Sequence, residues 1–521
     1  MRALSFAVEP ADEAQAGVGL GHFAVQVEEM EAAGVTDDEP KTATVTIKDR
    51  DGGVSGVTSV PVTNGMARFH HVVIDATGEV ELEISVDGAR PLITKTITVH
   101  SNPGIDSRPS LVSKGAEGQG GDGDSLGSIA NADGRYSAFA SDSDNFVQGD
   151  ENSSSDIFFF DKEKGKAEAI SVNDTGELGN GASTNGVMSS CARYLAYESD
   201  ATNLVPGDTN GVTDIYFRDR HTNHTKRISI TEKGVEPNAP SLQPSISGCG
   251  AFVAFTSAAT TLSSADTHGV TQIYIKDQAF GGLRLVSLFN GKPGEYASAD
   301  PALSPNADEI AFQTSIKNLE ADTRESTMQL VLTDLKTGEI VLVSRTPQNK
   351  PANGNSGEPA ISRGGRYVVF SSDATDMTDT QNTHGGAEVF LYDRETSTVT
   401  QVSTTTIGRA PDGPSMHPSI SDNGRYVAFE SAATNLVPGD TNRSNDMFVL
   451  DRESSLIERT TVDADGNELE GDCIAGRISN DGRFVTFQSA SEAVLPEQDL
   501  EGYQTYMGCN PFELLEGEDT P

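Results

Sequence analysis

Apolar and polar residues alternate along this chain with the period of short strands. In residues 415–465, "HPSIS" is a short apolar strand, "DNG" a tight turn and "RYVAFES" an alternating strand. A long polar loop follows, then "DMFVLD", a short turn at "RESS" and a last strand in "LIERTTV". These runs have the strand period and are separated by turn-forming residues. No segment carries a sustained helical period with caps at its ends. The pattern predicts a unit of four antiparallel strands.

The same unit recurs. "GRYSAFAS" begins at 134, "ARYLAYES" at 192, "GAFVAFTS" at 250, "ADEIAFQT" at 307, "GRYVVFSS" at 365, "GRYVAFES" at 424 and "GRFVTFQS" at 482. Their central residues, Tyr136, Tyr194, Phe252, Ile310, Tyr367, Tyr426 and Phe484, are spaced 58, 58, 58, 57, 59 and 58 positions apart. Chance does not hold such a register over about 350 residues, so one supersecondary unit is repeated. Four antiparallel strands repeated seven times, without helices to cover a parallel sheet, predict a seven-bladed β-propeller. The seventh copy reaches only its third strand, "YQTYM" at 503–507, while an unpaired "PSLVSK" at 109–114 matches the fourth-strand segments "RISI" and "QVST". Strand 110–114 is therefore expected to complete the last blade and close the ring.

At "SDNGRYVAF" (421–429), "SNDGRFVTF" (479–487) and "TDIYFRD" (213–219) the chain resembles the TolB-like propellers, with their Pro-Asp variant of the WD-type repeat. The turn proline survives only in the displaced "SPNAD" at 304–308, a departure from TolB itself. The resemblance spans about residues 108–510 and implies the fold far more strongly than a function, because the group includes periplasmic scaffolds, peptidase-associated gates and lyases.

The first hundred residues differ. Alternating runs at "FAVQVEE", "ATVTIKD", "VELEISV" and "KTITVH", and a hairpin signal at Asn64-Gly65 inside "VPVTNGMARFHHV", predict a β-sandwich. "LSFAVEP" and "VTNGMARF" resemble bacterial Ig-like domains, which implies a spacer. The expected fold class is all-β: an Ig-like β-sandwich over 1–103, a TolB-like propeller over 104–510 and an acidic tail over 511–521.

Charge narrows the partners. The 78 Asp and Glu against 37 Lys and Arg give a net charge of −41, with no basic cluster to neutralise phosphates. Nucleic acid and anionic membrane are not expected partners. No apolar run approaches the roughly 18 residues that span a bilayer, and "MRALSFAVEP" lacks the apolar region of a signal peptide. The four cysteines, Cys191, Cys249, Cys473 and Cys509, have no zinc-ligand spacing. Cys191 and Cys249 fall at equivalent tight-turn positions, where a disulfide is one expected outcome.

Both long loops of each unit should emerge on one face, the expected binding surface. "NLVPGDTNGVTDIYFRDR" at 203–220 returns as "NLVPGDTNRSNDMFVLDR" at 435–452. Asp150 with Asp156, Asp208 with Asn210 and Asp214, and Asp440 with Asn442 and Asp446 supply hard oxygens suited to Ca2+. The same spacing suits Asx-turns ahead of a strand, and the twelfth-position Glu of an EF-hand is missing. Both readings stay open. Arg135, Arg193, Arg366, Arg425 and Arg483 recur after the tight turn, which points to packing or hydrogen bonding between blades. His268, His384 and His417 are expected on the long-loop face; the resemblance to lyases makes them candidates for a shared metal, against plain exposed loop histidines. No Gly-x-Ser-x-Gly elbow is present.

These features favour a non-enzymatic extracellular, cell-surface or periplasmic binding or scaffold protein that holds a protein or glycan ligand on the long-loop face. A metal-dependent polysaccharide lyase and a structural subunit of a surface or virion assembly are the alternatives.

Overall fold

The computed structural model describes residues 109–515, apart from 116–117, 132–133, 151, 280, 320–326, 380–383, 406, 464–465, 497–499 and 501. Within residues 3–100 it describes the strands named below and some connecting residues. The Asn64-Gly65 turn, residues 101–108 and residues 516–521 lie outside the described residues.

Regular structure is almost entirely β. Among the described residues, seven four-stranded antiparallel sheets follow one another. The sixth is typical: Ser415–Ile420, Tyr426–Ser431, Asp446–Asp451 and Leu456–Arg459 pair in chain order. The central strands are aromatic and β-branched and buried on both faces, as expected for strands covered by a sheet on either side. Phe429 stacks on Phe448 with centroids 5.9 Å apart, and Tyr197 on Tyr216 at 6.0 Å.

The first strands of the sheets, Ser125–Ala130, Ser183–Met188, Ser241–Ile246, Ser298–Leu303, Ser356–Ile361, Ser415–Ile420 and Cys473–Ile478, touch one another in a closed cycle. They form an inner ring. In the seventh sheet, Cys473–Ile478, Phe484–Ser489 and Gln504–Cys509 are joined by Ser110–Leu111 from the beginning of the ring. Ser110 lies opposite Met507 and Leu111 opposite Tyr506, and Ser113 Oγ donates to Gln504 Oε1 at 2.8 Å.

Ahead of the ring, a seven-stranded sheet and a three-stranded sheet, with one two-stranded ribbon, enclose a separate core that includes Phe23, Val45, Phe69, Leu82 and Ile84. Ser59–Thr63 pairs with Met66–Phe69 through Val62 and Ala67.

Three expectations are corrected. Cys191 and Cys249 are not joined by a disulfide. The segment read as a tail from 511 opens with a helical turn, Pro511–Leu515; Phe512 is buried against Tyr426 and Glu513 accepts from the Tyr426 hydroxyl at 2.7 Å. Four of the five repeated arginines, Arg135, Arg193, Arg366 and Arg425, pair with an aspartate of their own sheet: Arg193 grips Asp219 at 2.8 and 2.9 Å, and Arg425 grips Asp451 at 2.9 and 3.2 Å. Sheet-to-sheet contact falls instead to Arg220, over the Phe159 ring at 3.3 Å, and Arg452, over the Tyr367 ring at 3.9 Å. Each follows the aspartate that ends a third strand.

Candidate functional site

The inner ring carries a bulge at one fixed place in every sheet, two residues after the strand starts, where pairing slips between the second and fifth residues of the strand. The third residue takes a left-handed backbone each time: Gly127, Asn185, Gln243, Asp300, Glu358, His417 and Ala475, with φ between 49° and 65°. Glycine adopts this conformation freely, whereas a side chain costs roughly 1 kcal/mol or more there. Six of the seven sheets keep a side chain at that cost.

These residues link into a belt. Asp300 N donates to Gln243 Oε1 at 3.0 Å, Glu358 N to Asp300 Oδ2 at 2.6 Å, and His417 N to Glu358 Oε2 at 2.9 Å. Two second-strand carboxylates extend it: Glu198 accepts from Gln243 N at 2.6 Å and Glu430 from Ala475 N at 3.0 Å. His417 sits between Glu430, 3.0 Å from Nδ1, and Glu358, 3.3 Å from Nε2. Its hydrogen bond to Glu430 raises the imidazole pKa; burial and Arg477 oppose, and both carboxylates assist. Burial pushes Glu198 and Asp300 above the usual carboxylate range.

Arg477 is the odd member. It stands at the fifth position of its inner strand, where the other sheets carry Ile129, Val187, Ser245, Ala302, Ala360 and Ser419. Its side chain is open to solvent, yet the surrounding protein depresses its pKa while Asp300 and Glu358 hold it up. The belt therefore holds Glu198, Asp300, Glu358 and Glu430 against one permanent cation, and the first sheet, with Gly127 and Ala140, adds no charge. Such an arrangement suits binding of a group that offers both a cationic or hydroxyl donor and an acceptor.

Ser415 pairs with Ser431, which pairs with Asp446, so the belt lies at the end of each sheet from which the long loops leave. The loop residues predicted as metal ligands lie at that same end but form separate stations. Asp156, Asp214 and Asp446 are fully buried and accept from a hydroxyl two residues past the fourth strand: Asp156 from Ser171, Asp214 from Ser229 at 2.5 Å and Asp446 from Thr461 at 2.6 Å. Gln272, Gln329 and Gln504 take the same role in three other sheets. A neutral amide serves, so the station does not require a charge. Asn152, Asn210 and Asn442 donate to these aspartates at 2.7, 2.8 and 3.2 Å, and each caps its own loop two residues on, which is Asx-turn chemistry.

Asp208 receives the Tyr216 hydroxyl and pairs with Arg227 at 3.0 Å. Asp440 lies 3.7 Å from Arg459. Asp150 has no such cation, and burial followed by repulsion from Asp156 and Asp144 pushes its pKa up to about 6; burial does the same to Asp440, also to about 6. Among the described residues no three His, Cys, Asp or Glu side chains converge as metal ligands. His384 is taken up by Glu388 at 2.7 Å, and His268 pairs with the exposed Asp266 at 3.5 Å.

Sequence reasoning named His417 but missed the belt and Arg477. The signal was present: aligning the seven copies shows Gly, Asn, Gln, Asp, Glu, His and Ala in one column beside a column of six serines and Cys473.

The fold and this belt define an all-β protein built on a closed ring of four-stranded sheets. Among solved structures it is similar to a TolB protein of Agrobacterium tumefaciens, at 14% identity over 66% of this chain and 94% of that one, with a TM-score of 0.37. It is also similar to a prolyl endopeptidase, at 12% identity over 86% and 54% with a TM-score of 0.41. A puromycin-hydrolyzing peptidase of Mycobacterium tuberculosis matches at 11% identity over 96% and 60% with a TM-score of 0.41. No protein-family model matches the sequence, and no curated protein does.

Proposed function

We propose that this chain is a non-enzymatic binding or scaffold protein of the cell envelope or exterior: a seven-bladed TolB-like propeller over 104–510, carried on an Ig-like spacer over 1–103. Its ligand, a protein or a glycan, engages the long-loop face around the mouth of the ring. One observation supports this above the others. A backbone position repeated in all seven sheets is held in a left-handed conformation, while the side chain displayed there changes from sheet to sheet. A rigid frame presenting varied polar groups is how a binding surface is built.

The test is a panel of immobilised glycans and basic and acidic peptides, probed with the full-length protein and with Asp300→Gly and Glu358→Gly. Relief of backbone strain offsets the lost side-chain hydrogen bonds, so both variants should keep their stability within about 1 kcal/mol. Their signal on the bound member of the panel should fall at least tenfold. Unchanged binding by both variants would reject the belt as the site.

A further inference from the structure

Three long loops share one construction, and one of them lacks its cation. In the second sheet, Arg227 Nη1 stands 3.0 Å from both Asp208 and Asp214, and Nη2 stands 2.7 Å from Glu236. In the sixth, Arg459 Nη1 lies 3.7 Å from Asp440, 3.5 Å from Asp446 and 3.0 Å from Glu468. One positive nitrogen thus sits between two buried carboxylates in each.

The first sheet keeps the carboxylates and the local hydrogen bonding, with Asn152 Nδ2 2.7 Å from Asp156 and the Ser171 hydroxyl donating to it. The repeat puts Ala169 where the others have Arg227 and Arg459, and Leu178 where they have Glu236 and Glu468. Phe158 replaces Tyr216, the hydroxyl donor to Asp208. Three replacements remove the guanidinium, its balancing acid and the neutral donor together. Asp150 is 7% exposed and its Oδ1 lacks a hydrogen-bond partner, as does Asp440 Oδ1 in the sixth sheet; the difference is that Asp440 has the Arg459 guanidinium 3.7 Å away. A buried carboxylate in that condition is strongly disfavoured unless a counter-charge reaches it.

We infer that the place between Asp150 and Asp156, filled by a guanidinium nitrogen in the second and sixth sheets, takes a calcium ion in the first. The donors are oxygens, which selects a hard cation, and the irregular loop suits calcium better than the strict octahedron of magnesium. With only two carboxylates, water completes the shell, and the affinity falls near the weak range of extracellular modules, about 0.1–1 mM. The site is distinct from the ligand belt of the inner ring.

Calcium chloride titrated calorimetrically into chelator-treated full-length protein at constant ionic strength tests this. Wild type should bind one calcium in that range, and Asp150→Asn should bind at least tenfold more weakly. Ala169→Arg supplies the guanidinium found in the second and sixth sheets and should abolish binding while keeping the fold, a control that stands even if Asp150→Asn folds poorly. No binding by wild type overturns the inference. So does binding that survives in Ala169→Arg, since the ion would then lie elsewhere.

Discussion

The two ends of the ring differ in what they keep constant from sheet to sheet. At the tight-turn end, glycines repeat: a Cβ on Gly250, Gly424 or Gly482 would lie 2.3 to 2.5 Å from the ring of Tyr194, Tyr367 or Tyr426 in the preceding sheet. Backbone meets backbone there, with Gly248 N donating to Pro305 O at 2.9 Å and Asp422 N to Asn480 O at 2.7 Å. At the long-loop end backbone bonds also join neighbouring sheets, such as Ser183 N to Ser155 O at 2.7 Å and Ser415 N to Ala387 O at 2.8 Å, but the side-chain links added there differ from sheet to sheet. Sameness at one end holds the sheets in a ring; difference at the other is what the proposed binding role would use. In a repeat protein, the column that departs from the repeat is where function should be sought.

The comparison can be broken most severely at the closure. Leu111 and Val112 are 3% and 1% exposed, and with Ser113 they complete the seventh sheet. Deleting residues 1–115 should destabilise the whole ring by about 4 kcal/mol or more, whereas deleting 1–103 should leave its melting temperature nearly unchanged. Equal melting by the two truncations would mean that the ring does not depend on this strand.

A smaller effect is expected at the constant end. Gly424 has φ 72° and an aromatic ring against its α-carbon. Gly424→Ala adds a left-handed penalty to an overpacked contact and should lower stability by about 2–4 kcal/mol, read by denaturant melts. An alanine that melts with wild type would show that the tight-turn end is looser than described.

The smallest effect is a pH dependence at the variable end. His417 faces Glu358 and Glu430, with Arg477 near enough to oppose its charge. Its folded pKa is raised, so its contribution to stability is fully present below the ordinary histidine value of about 6.5 and is lost as pH rises through the folded value. Wild type should therefore exceed His417→Gln in melting temperature by most at about pH 6 and by least at about pH 9. A difference that grows with pH would reverse the sign and reject the ion pairs.

Much of the frame was legible because it repeats. Tyr136 to Phe484 keep their register since each must enter the same contact between sheets, and the alternation in "RYVAFES" follows from strands buried on both faces. The short match of "PSLVSK" to fourth strands located the residues that pair with Tyr506 and Met507. The belt was not legible by the same means. Gln243, Asp300, Glu358 and His417 share a backbone conformation, not a side-chain type, so no motif marks them. The loop aspartates were visible, but their spacing alone could not separate a turn from a metal site. The inferred difference between the loops rests on Ala169, Arg227 and Arg459, about 13 to 19 residues farther along the chain, across the third and fourth strands.

The central claim is that frame and recognition occupy opposite ends of the ring. It is tested most directly by measuring melting temperature and affinity together, for the ligand retained from the glycan and peptide panel, in Gly424→Ala and Arg477→Ala. The account predicts that Gly424→Ala lowers the melting temperature while its folded fraction binds as wild type does, and that Arg477→Ala melts as wild type but binds at least tenfold more weakly. Wild-type affinity in Arg477→Ala, with affinity lost in folded Gly424→Ala, would contradict it.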